Sequence, residues 1–138
     1  MKKNPFLKAD DKVIKMYGNT ATVIFVQTVR EYDESTGAME MRESRTESPV
    51  SISTPSVISE AVADGKNYMV GDLSFDISRL ELERVLPEGR TASVETGVLD
   101  LRSDRFVVAG RQYRIVKMHP KNMWADTPSM YRIQLRAE

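Results

Sequence analysis

The chain contains no cysteine, which rules out disulfides, a thiolate nucleophile and sulfur ligands for a metal. That fits a reducing compartment. His119 is the single histidine. Without cysteine, a zinc site would need carboxylates converging from elsewhere, and no H-x-x-x-H spacing exists. A serine nucleophile would have only His119 as a conventional base, and no G-x-S-x-G elbow is present. Gly65, Gly71, Gly89, Gly97 and Gly110 stand singly, so no glycine-rich phosphate loop can be drawn. No catalytic signature emerges: an enzyme is not expected, and no cofactor or metal is called for.

A surplus of one charge is missing too. Lys and Arg total 20, Asp and Glu total 20, and the formal net charge is +0. Tight nucleic-acid binding usually shows as a basic excess. Near-neutrality also leaves little repulsion against self-association. No long apolar run follows the Lys-rich start, so neither a signal peptide nor a membrane span is expected, and the chain reads as cytoplasmic where it is made. Trp124 stands alone in the 120–128 loop, without the aromatic platform that single strands stack on.

What is present is strand signal. In DLRSDRFVVAGRQYRIVKM (100–118), Phe106 to Ala109 is aromatic and β-branched, Gly110 marks a tight turn needing positive φ, and Arg111 to Met118 returns. Within that return the apolar phase switches from Tyr113 and Ile115 to Val116 and Met118, which predicts a β-bulge or strong bend. SMYRIQLR (129–136) alternates strictly, placing Tyr131, Ile133 and Leu135 inward and Arg132, Gln134 and Arg136 outward. Leu73, Phe75 and Ile77 alternate in the same way after the Gly71-Asp72 turn. Ser78 with Glu81 forms a capping-box pattern, so Leu82, Val85 and Leu86 line a short helix stopped by Pro87.

Upstream, Asn4-Pro5 predicts a helix over Pro5 to Tyr17, carried by Leu7, Ile14 and Tyr17, with Gly18 as left-handed C-cap. Asp10 and Asp11 are poor interior residues for it. Thr20 to Tyr32 is the longest strand. Ala21, Val23, Phe25 and Val29 share one face, and Ile24 and Val26 make its centre apolar on both sides. A polar loop at Asp33 to Gly37 leads into a returning strand, Ala38 to Arg45. Residues 46–66 read as a long loop excursion rich in Ser and broken by Pro49 and Pro55, with Ser56 to Asp64 either a short helix or extended. Glu88 to Gly97 reads as a turn. At 138 residues, one domain is expected: a mainly β fold, specifically a small β-barrel or sandwich with one or two short helices, an N-terminal helical arm at 1–19 and the inserted loop at 46–66.

Carboxylate pairs such as Glu81 with Glu83 or Asp100 with Asp104 read as solvated. Arg132 and Arg136, with Arg102, Arg105, Arg111 and Arg114 nearby in the chain, suggest either ordinary sheet alternation or a surface facing DNA or an acidic partner. Met39, Met41, Met118 and Met130 read as core or interface filler.

GDLSFDI, DLRSDRFVVAGRQYRIVKMHP and the terminal SMYRIQLR, in that order, resemble the head-closure (stopper) proteins of tailed-phage necks. The positions carrying the resemblance are Gly71, Asp72, Asp104 through Gly110, Tyr113, Val116, Tyr131, Ile133, Leu135 and Arg136; the N-terminal helix leading to Ala-Thr-Val adds to it. The resemblance implies a β-barrel subunit of a hexameric or dodecameric ring in the virion neck. That ring would sit between the portal or adaptor and the tail tube or terminator protein. It would close the channel over packaged double-stranded DNA and offer the tail a docking surface, with no membrane partner. It also implies a plugging loop, whose positional match is 46–66, with Glu47, Pro49, Ser51, Ser53 and Pro55 at its tip. Two other readings stand beside it: a tail-terminator or tail-completion protein of the neck, and a small nucleic-acid-binding β-barrel.

Overall fold

A computed structural model describes residues 4–58, 69–87, 99–124 and 127–138. In chain order the elements are α1 (Leu7–Tyr17), β1 (Asn19–Tyr32), β2 (Met39–Ile52), β3 (Ser56–Val57), β4 (Leu73–Ser78), α2 (Arg79–Arg84), β5 (Arg105–Val108), β6 (Arg111–Lys121) and β7 (Met130–Ala137). The strands form one antiparallel sheet in the order β2-β1-β5-β6-β7-β4-β3. The mainly β class with two short helices is as expected.

Barrel closure is not found. Closing the sheet would require a ladder between its edge strands, β2 and β3. Instead, the chain turns away after Ile52. Among the described residues Ser53 bridges the gap, its N–H donating to the Asp76 carbonyl (2.8 Å) and its Oγ accepting the Asp76 N–H (2.7 Å). Pro55 follows and has no donor with which to continue a ladder. The sheet curls over its core and stays open.

The core follows the alternation read in the sequence. Val23, Phe25, Val50, Ile52, Phe75, Ile77, Phe106, Ile115, Tyr131, Ile133 and Leu135 are buried in one cluster, and Phe75 meets Phe106 edge-on at 5.3 Å between ring centres. Ile24 is buried as well, on the opposite face of β1. The phase switch in β6 is a register shift between Ile115 and Lys117, which leaves Val116 as the extra residue. Ala109 and Gly110 have φ of 51° and 79°; this two-residue turn with both central residues left-handed matches the twist of its strands.

Ile14 of α1 and Leu82 of α2 are buried. The Ser78 hydroxyl caps α2 by accepting the Glu81 N–H (3.1 Å). Gly18 is not a left-handed cap. Its backbone is extended, and glycine is required by closeness: a Cβ there would lie 1.9 Å from the Ile52 carbonyl oxygen.

The largest correction concerns 46–66. Residues up to Ile52 belong to β2, which pairs with β1 in unbroken register from Asn19↔Ile52 to Tyr32↔Met39. The proline that suggested a loop, Pro49, sits on an edge strand, where a missing N–H leaves no ladder bond unmade. Val50 and Ile52 alternate into the core with Ser51 between them. Ser56 and Val57 are strand rather than helix. The rest of that suggested helix (59–64) and the Glu88 to Gly97 turn lie outside the described residues.

Candidate assembly surfaces

β1 and β2 have 14 residues each, so the hairpin they form is about 45 Å long at ~3.3 Å per residue. Its near end carries Ala21, Val23, Phe25, Val50 and Ile52 into the core, whereas β2 is exposed from Met39 through Glu47. The far half is an arm beyond the core. Its turn is locally built: the Ser35 N–H and hydroxyl both donate to the Asp33 carboxylate (2.9 and 2.7 Å), and Gly37 takes a φ of 69°. Those hydrogen bonds from Ser35 hold the Asp33 carboxyl below its ordinary value.

Tyr32 pairs with Met39 at the tip, and Met41 lies two residues on, on the same face. All three are about 60% exposed: Tyr32 63%, Met39 60% and Met41 62%. Arg30 stands opposite Met41 on that face, Glu31 and Glu40 pair on the other face, and Asp33 and Glu34 begin the turn. Arg42 pairs with Glu31 at 3.1 Å. The arm thus ends in an exposed apolar spot beside a polar turn. Met39 and Met41 are not core residues; only the interface half of that expectation stays open.

The resemblance positions fall in two places. Gly71 and Asp72 lie beside Arg136 at one end of the β4–β7 ladder, and Arg132 and Tyr131 face Asp76 and Ile77 toward its other end. Asp72 is almost fully buried and accepts from Arg136 (Nε 3.0 Å, Nη2 2.9 Å), Gln134 Nε2 (2.9 Å) and the Met69 N–H (3.0 Å). Burial opposes its charge, but the Arg136 guanidinium and these donors outweigh burial and hold the carboxyl below its ordinary value. Asp76 receives Arg132 (3.1 Å) and Lys121 (3.2 Å). Tyr131 lies in the core, where burial pushes its hydroxyl pKa up. Both arginines singled out for DNA are therefore held in ion pairs, and Arg136 is largely covered. Gln134, expected to face outward, is buried on Asp72. Gly110 and Tyr113 mark the other place, the β5–β6 hairpin, where Arg111 lies over the Tyr113 ring at 5.8 Å.

The five residues read as a loop tip do not form one. Glu47, Pro49 and Ser51 are ladder residues opposite Ile24, Thr22 and Thr20. The Ser51 N–H donates to Glu81 Oε2 (2.8 Å), and the Pro49 carbonyl accepts from Arg84 Nη2 (3.0 Å), which ties this segment to α2. Pro55 lines a shallow open cleft of about 500 Å³ with Tyr113, Leu73 and Val108. Among the described residues no charged side chain lines that cleft.

Two acids read as solvated are buried instead. Glu81 faces Arg84 at 2.9 Å and Lys15 at 3.4 Å; burial raises its pKa, and Arg84, the Ser51 N–H and Lys15 outweigh that and keep it low. Asp104 accepts the N–H groups of Val26 (2.9 Å) and Asp100 (2.7 Å), which fixes the loop before β5 against β1. The signal for both was their spacing before a strand or inside a cap, not their charge.

α1 carries a second apolar surface. Its carboxylates turn inward: Asp10 accepts from Asn122 (2.9 Å) and from the Ser129 hydroxyl, and Asp11 accepts from the Ser78 hydroxyl (2.6 Å). Phe6, Val13 and Met16 stay exposed, as do Lys8 and Lys12. The start of the helix is tied to the 122–127 turn by the Asn4 amide, which donates to the Asn122 (2.8 Å) and Thr127 (2.6 Å) carbonyls, and Met123 and Trp124 are exposed on that turn.

Among the described residues no three His, Asp or Glu side chains come together to hold a metal, and no helix is long and apolar enough to cross a membrane. Neither protein-family models nor curated proteins match this chain.

Proposed function

We propose that the protein is a structural subunit of a tailed-phage neck. It assembles into a ring between the portal or adaptor and the tail, closes the head channel after packaging and docks the tail. The motif resemblance at Gly71-Asp72, Asp104 to Val116 and Tyr131 to Arg136 suggests the reading. The observation that supports it best is the β1–β2 arm, a paired hairpin that leaves the core and ends in exposed Tyr32, Met39 and Met41. An apolar spot on a projecting element has no role in the subunit's own core, and such spots mark contact sites. The closing element is thereby moved from 46–66 to the arm. Arms that reach from subunit to subunit around a ring narrow its opening together, each through a modest contact multiplied by symmetry.

The test is to assemble heads with a variant in which residues 29–42 are replaced by Asn-Gly between Thr28 and Glu43, which are already cross-strand partners. The reading expects particles that package DNA and then lose it. Heads that keep their DNA would refute it. Tail-terminator and tail-completion roles remain alternatives within the neck, and a pull-down against portal-side and tail-side proteins separates them. Nothing in the geometry favours the nucleic-acid-binding alternative, because Arg132 and Arg136 are engaged by Asp76 and Asp72.

A further inference from the structure

β2 ends the sheet on one side, so one edge of it has no strand beside it. The Ser51 N–H reaches Glu81 and the Pro49 carbonyl reaches Arg84, which shows that the odd-numbered residues of β2 aim their backbone groups away from β1. The ladder to β1 is unbroken as far as Met39. Met41, Glu43, Arg45 and Glu47 therefore present N–H and C=O groups outward along the exposed part of the strand. Such an edge is a template for another strand, and folds that avoid pairing blunt it with a bulge, a proline or a covering element. From Met39 to Glu47, β2 has none of these among the described residues. Glu43, Arg45 and Glu47 alternate in sign on the face opposite to Val50 and Ile52, and none of the three has an ion-pair partner among the described residues.

That alternation is self-complementary in one antiparallel register. Two copies of β2 centred on residue 42 set Arg42 against Arg42, and centred on residue 43 they set Glu43 against Glu43. Centred on residue 45 they oppose Arg45 to itself and Glu43 to Glu47. A centre at residue 46 needs Pro49, which has no N–H, and Ser51, whose N–H is held by Glu81. We propose that β2 pairs antiparallel with β2 of a second copy of this chain about a two-fold axis at Ser44, joining two seven-stranded sheets edge to edge. Each Glu43 then lies opposite an Arg45, each Met41 opposite a Glu47, and no like charges meet. The paired stretch from Met41 to Glu47 makes about eight backbone hydrogen bonds. It stops short of Pro49 and Ser51, whose outward groups are already taken by α2. The contact is isologous and closes on itself, so it is separate from the heterologous contacts a ring needs and does not rest on the neck reading.

Because the chain has no native cysteine, Ser44→Cys, at an exposed position, reports the axis directly. Under mild oxidation it is expected to give a disulfide-linked dimer, since directly opposed residues have their Cβ atoms about 5 Å apart. Glu40→Cys is the control. Each Glu40 lies opposite a Ser48 of the second copy, so the two introduced thiols are about 26 Å apart at ~3.3 Å per residue, and no crosslink is expected. Equal crosslinking at both positions, or none at Ser44, would overturn the inference. A second arm uses sedimentation equilibrium without oxidation. Glu43→Arg sets Arg against Arg45 on both sides of the axis and weakens dimerisation by roughly tenfold; Arg45→Glu added in the same chain restores it. Arg45→Pro removes an outward N–H without touching the ladder to β1, as Pro49 does in the native strand, and should weaken the dimer while the unfolding temperature stays near that of the wild type. Weakening by Glu43→Arg without restoration counts against the contact, and so does a wild-type chain that stays monomeric at high concentration.

Discussion

The two halves of the β1–β2 hairpin share strands, register and pairing, yet they serve different ends. Near the core, Val23, Phe25, Val50 and Ile52 are wholly or almost wholly buried; toward the tip of the same ladder β2 is exposed from Met39 through Glu47, and Tyr32 is exposed opposite Met39. A two-stranded ribbon alone is marginal in water. The outer half persists because the inner half is fixed in a seven-stranded sheet and its turn is built by Asp33, Ser35 and Gly37. Burial decides stability in one half; exposure leaves the other free to meet a partner.

Substitutions sharpen that contrast. Phe25→Ala removes a fully buried ring and is expected to cost about 3–5 kcal/mol in denaturant unfolding. Tyr32→Ala, seven residues along the same strand, is expected to change the subunit's stability by less than about 0.5 kcal/mol while weakening association. Equal effects at the two positions would erase the distinction. Gly18→Ala should cost about 2–4 kcal/mol, because its Cβ would press on the Ile52 carbonyl and separate α1 from the base of the hairpin.

Asp72→Asn leaves the largely covered Arg136 without its carboxylate and is expected to cost about 2–3 kcal/mol. The same acid sets a pH dependence. The folded-state pKa values of Asp72 and Glu81 lie below their unfolded values of 3.8 and 4.5. The stability they contribute is therefore present above those values and lost as pH falls through the folded ones. Thermal unfolding measured from pH 6 down to pH 3 should show the loss below about pH 4.5, with a shallower slope in Asp72→Asn. An unchanged slope would mean other carboxylates dominate. The smallest effect is expected at the β5–β6 turn, where Gly110→Ala should cost about 1 kcal/mol for a left-handed residue.

Strict alternation made β4 and β7 legible in the sequence, and the phase switch at Ile115 to Val116 announced the bulge in β6. Their periodicity is a direct record of a half-buried pleat. The 46–52 segment was misread because serine and proline signal loops locally, whereas here an edge position tolerates Pro49 and the Val50-Ser51-Ile52 alternation carries the strand. Gly18 shows the same limit: a glycine at a helix end suggests a cap, but the approach of Ile52 is 34 residues away in the chain and invisible to local pattern. Of the candidate surfaces, the α1 stripe could have been found from the spacing of Phe6, Ala9, Val13 and Met16. The arm tip could not, because its exposure depends on how far the core extends along β1. The barrel expectation failed for a related reason: whether a curled sheet closes depends on its edges, and strand patterns do not describe edges.

The most direct test compares the wild-type chain with the variant whose residues 29–42 are replaced by Asn-Gly, measuring thermal stability and oligomeric state on the same samples. The account predicts nearly equal unfolding temperatures, with rings from the wild type and monomers from the variant. A variant that unfolds would show the arm to be part of the fold, and one that still forms rings would show that assembly does not depend on it.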